Sequence, residues 1–240
     1  MIHLTQAQHD EFKAAVAERR ERPILFQGDM VRSLLAGTKT QTRRIVKPQP
    51  DDTHNGQPYW HIGGLRTSWL HRPVGAEPHW GNNPLLCPYG VAGDRLWVRE
   101  SFAEEYDYCD HPEMPGAPRE HFHYAWHYRA DGEPQRAELE GCLSGWKPSI
   151  HMPRSVSRIL LEITEVRVER LQDISEGDAR AEGITDGGCT ECGNPEPCGC
   201  TNPSPDARDA YCHLWGQING PDSWTVNPWV WAVSFKVVQP

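Results

Sequence analysis

A chain of 240 residues and 27.2 kDa with 38% apolar residues is long enough for one large domain and apolar enough for a core, yet no apolar run reaches the roughly 18 residues of a membrane span. The polar start Met1-Ile2-His3-Leu4-Thr5-Gln6 lacks the charged and apolar regions of a signal peptide, so a cytoplasmic protein with reduced cysteines and no membrane partner is expected. A formal net charge of −9 argues against indiscriminate binding to a phosphate backbone, which draws on many Lys and Arg side chains, but it leaves room for a small basic site.

Thr5 to Arg20 reads as a helix, because Thr5 and Gln8 make a capping box and Phe12, Ala15 and Val16 follow a helical stripe. Pro23 ends it, so residues 1–22 form a helical appendage and residues 23–240 a single domain. Ile24-Leu25-Phe26 is a short buried strand. Asp29 then caps a helix whose pairs Met30/Leu34 and Val31/Leu35 run to Gly37.

The stretch Gly37-Thr38-Lys39-Thr40-Gln41-Thr42-Arg43-Arg44 follows. It reads either as a solvated basic strand or as an anion or nucleotide site, with a turn at Gly37, a lysine as base or point charge, hydroxyls, and arginines for phosphate or base edges. The alternating β-branched Thr38, Thr40 and Thr42 favour an extended chain to Val46. In a regular strand Lys39 and Thr42 face opposite sides; a turn at 37–40 brings them together.

Residues 48–90 carry seven prolines among His54, His61, His71 and His79 and read as an ordered but irregular insertion. The histidine spacing matches no zinc template, so these are surface histidines. Gly93-Asp94 turns into a strand with Leu96 and Val98 on one face and Trp97 and Arg99 on the other, ending at Glu100. Within the second insertion, 103–153, Phe122 to Tyr128 alternates between an aromatic and a histidine face, as a half-buried strand or a base-stacking platform would. The flanking stretches 103–120 and 129–153 read as acidic, proline-rich loops.

Ser157 to Glu169 is a long strand with a shift of face near Thr164. Ser175 and Asp178 cap a short helix through Ala179 and Ala181 that stops at Glu182-Gly183. In the loop 186–204, Cys189, Cys192, Cys198 and Cys200 can surround one structural Zn²⁺ as a compact knuckle, against the alternative of a reduced, metal-free loop. Cys87, Cys109, Cys142 and Cys212 read as structural thiols. Asp206 caps a last helix with a stripe of Ala207, Ala210, Tyr211, Leu214, Trp215 and Ile218, and Trp229, Trp231, Val233, Phe235 and Val237 alternate along a closing strand.

These elements predict an α+β fold, a small closed or nearly closed β-barrel with flanking helices and long loop insertions. Gly37-x-Lys39-x-x-Thr42-x-Arg44, Gly93 to Glu100, Ile163 to Gly183, Leu214-Trp215-x-x-Ile218-Asn219-Gly220 and Asn227-Pro228-Trp229-Val230-Trp231, in that order, resemble the ASCH family, particularly its larger bacteriophage and prophage members. The resemblance implies a PUA-like barrel with a cleft for RNA or nucleotides, acting in the bacterial host cytoplasm. It also implies a catalytic set found in small members that deacetylate N4-acetylcytidine, matching Lys39, Thr42 and Glu182; other members are ribonucleases.

In that set the threonine hydroxyl attacks, a desolvated lysine serves as base, and the glutamate orients the lysine or protonates the leaving amine. Arg43, Arg44, Gly37, Arg99 and Glu100 are the expected substrate-binding residues, for a nucleoside, nucleotide or single-stranded RNA. A binding module without catalysis and an accessory role in phage particle assembly are the competing functions.

Overall fold

The structure is a computed structural model that describes residues 20–54, 57–62, 65–68, 87–109, 120–185, 199 and 207–238. It is an α+β protein built mostly of strands. The expected helix 5–20 lies outside the described residues save Arg20, and the chain is already extended from Glu21, before Pro23: β1 (Glu21–Leu25) begins inside the stretch assigned to the appendage.

β1 leads into α1 (Gly28–Leu35), which buries Val31 and Leu34. Gln27, not Asp29, occupies its N-cap, and Asp29 sits in the first turn, paired with Arg32. An acid there is favoured by the helix dipole without acting as a cap. After β2 (Gln41–Ile45), three strands follow inside the region expected to be irregular: β3 (Asp52–His54), β4 (Gln57–Ile62) and β5 (Leu65–Ser68), an antiparallel meander. The short strands carry too few alternating positions to stand out among the prolines, and Trp60, buried and donating to the Pro48 carbonyl, anchors them.

β6 (Arg95–Arg99) keeps the predicted alternation. β7 (Phe102–Cys109) and β8 (Glu120–Tyr128) then form a hairpin, so 103–109 is strand where a loop was expected; β9 (Cys142–Leu143) pairs with β7's other edge. Cross-strand partners, invisible to a local pattern, hold β7 in place. β8 belongs to this small sheet and not to the main core, with Phe122 and Tyr124 exposed.

β10 (Leu160–Arg170) pairs with β11 (Trp229–Val238), and its register shifts between Ile163 and Glu165, the predicted change of face at Thr164. α2 (Glu176–Ala181) starts at Ser175, whose Oγ accepts from the Asp178 amide at 3.1 Å. α3 (Ala207–Asn219) buries Ala207, Ala210, Tyr211 and Trp215 of the predicted stripe, but Ile218, at its end, is exposed.

The principal sheet runs β1-β6-β10-β11-β2. Among the described residues no backbone ladder joins β1 to β2, so the expected closed barrel is not formed. α1 connects the two edge strands in sequence, and they meet through a side chain: Arg44 Nη2 donates to the Leu25 carbonyl at 2.8 Å. The inner face packs Phe26, Leu96, Ile163, Val166, Trp231, Val233 and Phe235 into one core; the outer face, at Ile45 and Val230, is covered by Tyr211 and Trp215 of α3 and Leu171, Ile174 and Ala179 around α2. Among the described residues no helix is long and apolar enough to cross a membrane.

Candidate functional site: a buried lysine–glutamate seam on a cavity

Two chain reversals create the site. Gly37, at φ +74°, ends α1 in the left-handed region, and the amides of Thr38 and Lys39 both donate to the Ser33 carbonyl. Gly183, at φ +98°, ends α2; a Cβ there would lie 3.1 Å from Ser33 Cβ and 3.3 Å from Lys39 Cβ, so the glycine is what lets the two turns touch. Lys39 and Glu182 form an isolated antiparallel bridge, and the Thr40 amide donates to the Ala181 carbonyl at 2.8 Å. Residues 143 apart in sequence thus meet through backbone contacts before their side chains interact.

Lys39 Nζ donates to Glu182 Oε2 and to the Glu182 carbonyl, each at 2.7 Å, with side-chain exposures of 0% and 4% for the two residues. Burial lowers the Lys39 pKa below the ordinary lysine range, outweighing the opposing pull of the Glu182 charge. The expected desolvated lysine is therefore present. Glu182 Oε1 is held more loosely, by Arg43 Nη1 at 3.3 Å and the Tyr211 hydroxyl at 3.4 Å. Tyr211 is buried, and that burial together with the neighbouring carboxylate raises its pKa well above the usual phenol.

Strand alternation sorts the rest of the basic stretch. Gln41 and Arg43 point to the outer face, where Arg43 binds Glu169 Oε1 at 2.6 Å, Asp178 Oδ2 at 3.1 Å and Gln41 Oε1 at 2.7 Å. Burial opposes its charge, but the Glu182 and Glu169 carboxylates outweigh that and raise its pKa. With these partners Arg43, the expected substrate-holding arginine, is already engaged by three carboxylates. Thr42 and Arg44 take the inner face, opposite Val233 and Trp231. Thr42 Oγ1 is buried without a hydrogen-bond partner, so no hydrogen bond joins it to Lys39 or Glu182 among the described residues. Arg44 stands over the Phe26 ring at 5.3 Å; Lys39 Nζ lies 5.6 Å from the same ring.

Beside this seam is a cavity of about 500 Å³ whose lining includes Glu182, Arg43, Arg44, Tyr211, Trp215 and Phe26. That is the size range of small-molecule sites. Glu182 is in its lining; Lys39 and Thr42 are not. Tyr211, Glu169 and Asp178 join the site through tertiary structure alone: by spacing Tyr211 belongs to the core stripe of α3, and the two acids carry no sequence signal beyond charge.

Arg99 and Glu100 are engaged elsewhere. Arg99 Nε donates to the Met152 carbonyl at 3.0 Å and its guanidinium lies 5.0 Å over the Trp97 ring. Glu100 is bound by Arg158 and lines a second cavity of about 340 Å³. The structure thus does not bring these two residues to Lys39 and Glu182. Cys189, Cys192, Cys198 and Cys200 lie outside the described residues. Among the described thiols, Cys87 is buried and raised to about 11 by that burial, whereas Cys142 is exposed. Comparison with known proteins returns no match to any family model, curated protein or solved structure.

Proposed function

We propose that the chain is a nucleoside- or nucleotide-directed hydrolase of the ASCH type, with a PUA-like architecture, acting on an amide such as that of N4-acetylcytidine. One observation carries the reading: a carboxylate on the wall of a ligand-sized cavity is clamped from behind by a fully buried lysine of lowered pKa. Nothing about a solvated basic strand requires that arrangement.

Glu182 Oε2 is committed to Lys39, and Oε1, with only long contacts, faces the ligand. Oε1 takes a proton from the group that attacks the acetyl carbon and passes it to the exocyclic nitrogen as the amide C–N bond breaks. The sum is amide plus water giving amine plus acid. The attacking group that fits this scheme is a water in the cavity; the Thr42 hydroxyl, expected as the nucleophile, is unsatisfied inside the protein but stands outside the cavity wall and is not bonded to Glu182.

The test is turnover of N4-acetylcytidine by the wild type, Glu182→Gln and Thr42→Val. Glu182→Gln should lose about 10²-fold or more. Loss in Thr42→Val as well assigns the nucleophile to the hydroxyl; retained activity assigns it to water. No turnover by wild type sinks the hydrolase.

A binding module without catalysis is the second reading, favoured by the internal pairing of Lys39, whose ammonium is already bonded twice to Glu182. Binding of cytidine without turnover is its signature. The four-cysteine loop is kept in this proposal as a structural zinc knuckle on its spacing alone.

A further inference from the structure

The cavity departs from the acidic character of the chain. Against a formal net charge of −9, the ionised side chains in its lining are Arg43, Arg44, Lys47 and Glu182. Arg43 is neutralised by Glu169, Asp178 and Glu182. The other two cations are not. Arg44 gives its Nη1 and Nη2 to the main-chain carbonyls of Arg43 and Leu25, which orient the guanidinium without cancelling its charge. Lys47 is exposed and has no ion-pair partner among the described residues.

Burial gives the cavity a direction. Glu182 and Tyr211 are buried and form its floor, Trp215 is a buried apolar wall, and half-buried Arg44 and exposed Lys47 stand at its mouth. Tyr89 is another lining residue. A ligand filling this space has a polar head at the carboxylate, a flat apolar body and an anionic tail.

We propose that Arg44 and Lys47 form a phosphate subsite, so that the cavity takes a phosphorylated nucleoside, free or at the end of a strand, in preference to the bare nucleoside. The inference rests on the nucleoside reading above and adds the charge of the ligand to it. Arg44 supplies a planar fork held by carbonyls and Lys47 a mobile point charge, two complementary ways of meeting a phosphate. Arg43, the neighbour that looks equivalent in sequence, takes no part.

The test is titration calorimetry of wild type with cytidine and with cytidine 5′-monophosphate at low and high salt, repeated for Lys47→Glu and for Lys147→Glu as a control of equal charge change. The monophosphate should bind wild type on the order of tenfold to hundredfold more tightly than cytidine. Salt should narrow that gap, Lys47→Glu should close it, and Lys147→Glu should leave it. If cytidine binds and the phosphate adds nothing, the subsite is refuted while the nucleoside reading stands. A gap that survives Lys47→Glu overturns the assignment to the mouth. If neither compound binds, the nucleoside reading fails and the subsite falls with it. A short oligonucleotide ending in cytidine phosphate, run alongside, separates a strand end from a free nucleotide.

Discussion

At the seam between α1 and α2, Glu182 faces a lysine; at the root of the β7–β8 hairpin, Glu100 faces an arginine. Both carboxylates are buried, at 5% and 2% exposure, and both hold distant segments together. Arg158 grips Glu100 with Nε and Nη2, binds Asp131 with Nη1 and Nη2, and lies 3.9 Å from the Tyr128 ring centre. Burial opposes its charge, but the bonds to Asp131 and Glu100 raise its pKa, so it stays a cation throughout. Burial instead holds the Lys39 pKa below the ordinary lysine value. The two pairs share a buried carboxylate but differ in the cation: burial lowers the affinity of Lys39 for its proton, the carboxylates raise that of half-buried Arg158, and Glu182 of the lysine pair lines the larger of the two cavities.

The largest effect should come from breaking the lysine pair on one side. Lys39→Met strands the Glu182 charge in the interior and is expected to cost about 3–5 kcal/mol in urea unfolding. The double variant Lys39→Met/Glu182→Leu should recover more than half of that, since Arg43 keeps Glu169 and Asp178. A double variant no more stable than the single one would mean that the pair is held for stability, and the contrast with Arg158 would lose its meaning.

Next comes Arg158→Ala, with an expected loss of about 2–3 kcal/mol, smaller because the arginine side chain is 26% exposed and solvent can reach what it leaves behind. Turnover or nucleotide binding at the Glu182 cavity should be unchanged once the variant is folded. Loss of either would show that the two pairs are coupled.

The smallest signal is in pH, and its sign separates the pairs. The folded Lys39 pKa lies below the ordinary 10.5, so the unfolded chain binds that proton more tightly; the destabilisation is complete below the folded value and disappears as pH rises through 10.5. Glu100 is the reverse. Burial, outweighing Arg158, raises it above the ordinary 4.5, so its contribution is complete below 4.5 and is lost as pH rises through the folded value. The stability of wild type relative to Lys39→Met should climb on the alkaline side, and relative to Glu100→Gln it should fall across the acidic side. Flat differences in both would remove the electrostatic distinction.

The local features of the chain were readable. The Thr164 bulge, the Ser175 cap, the stops at Gly37 and Gly183 and the α3 stripe from Ala207 to Trp215 each depend on a few neighbouring residues, and each is where spacing put it. The misses are non-local. β3–β5 and β7 exist because partner strands supply hydrogen bonds, and no window along the sequence contains the partner. The same limit hides the partners of Arg99 and Glu100, polar ends of a strand bonded to Met152 and Arg158, more than fifty residues away.

For the site itself, the sequence determined which groups were available: a lysine after a glycine turn, a threonine three residues on, two arginines, and a glutamate at a helix end. Tertiary structure decided how they are used. The pleat of β2 sends Arg43 outward into carboxylates and Thr42 and Arg44 inward, because successive side chains of a strand take opposite faces. The approach of Gly183 to Ser33 and Lys39 buries the ammonium against Glu182, and it is that burial, not the identity of the residue, that lowers the lysine's affinity for its proton.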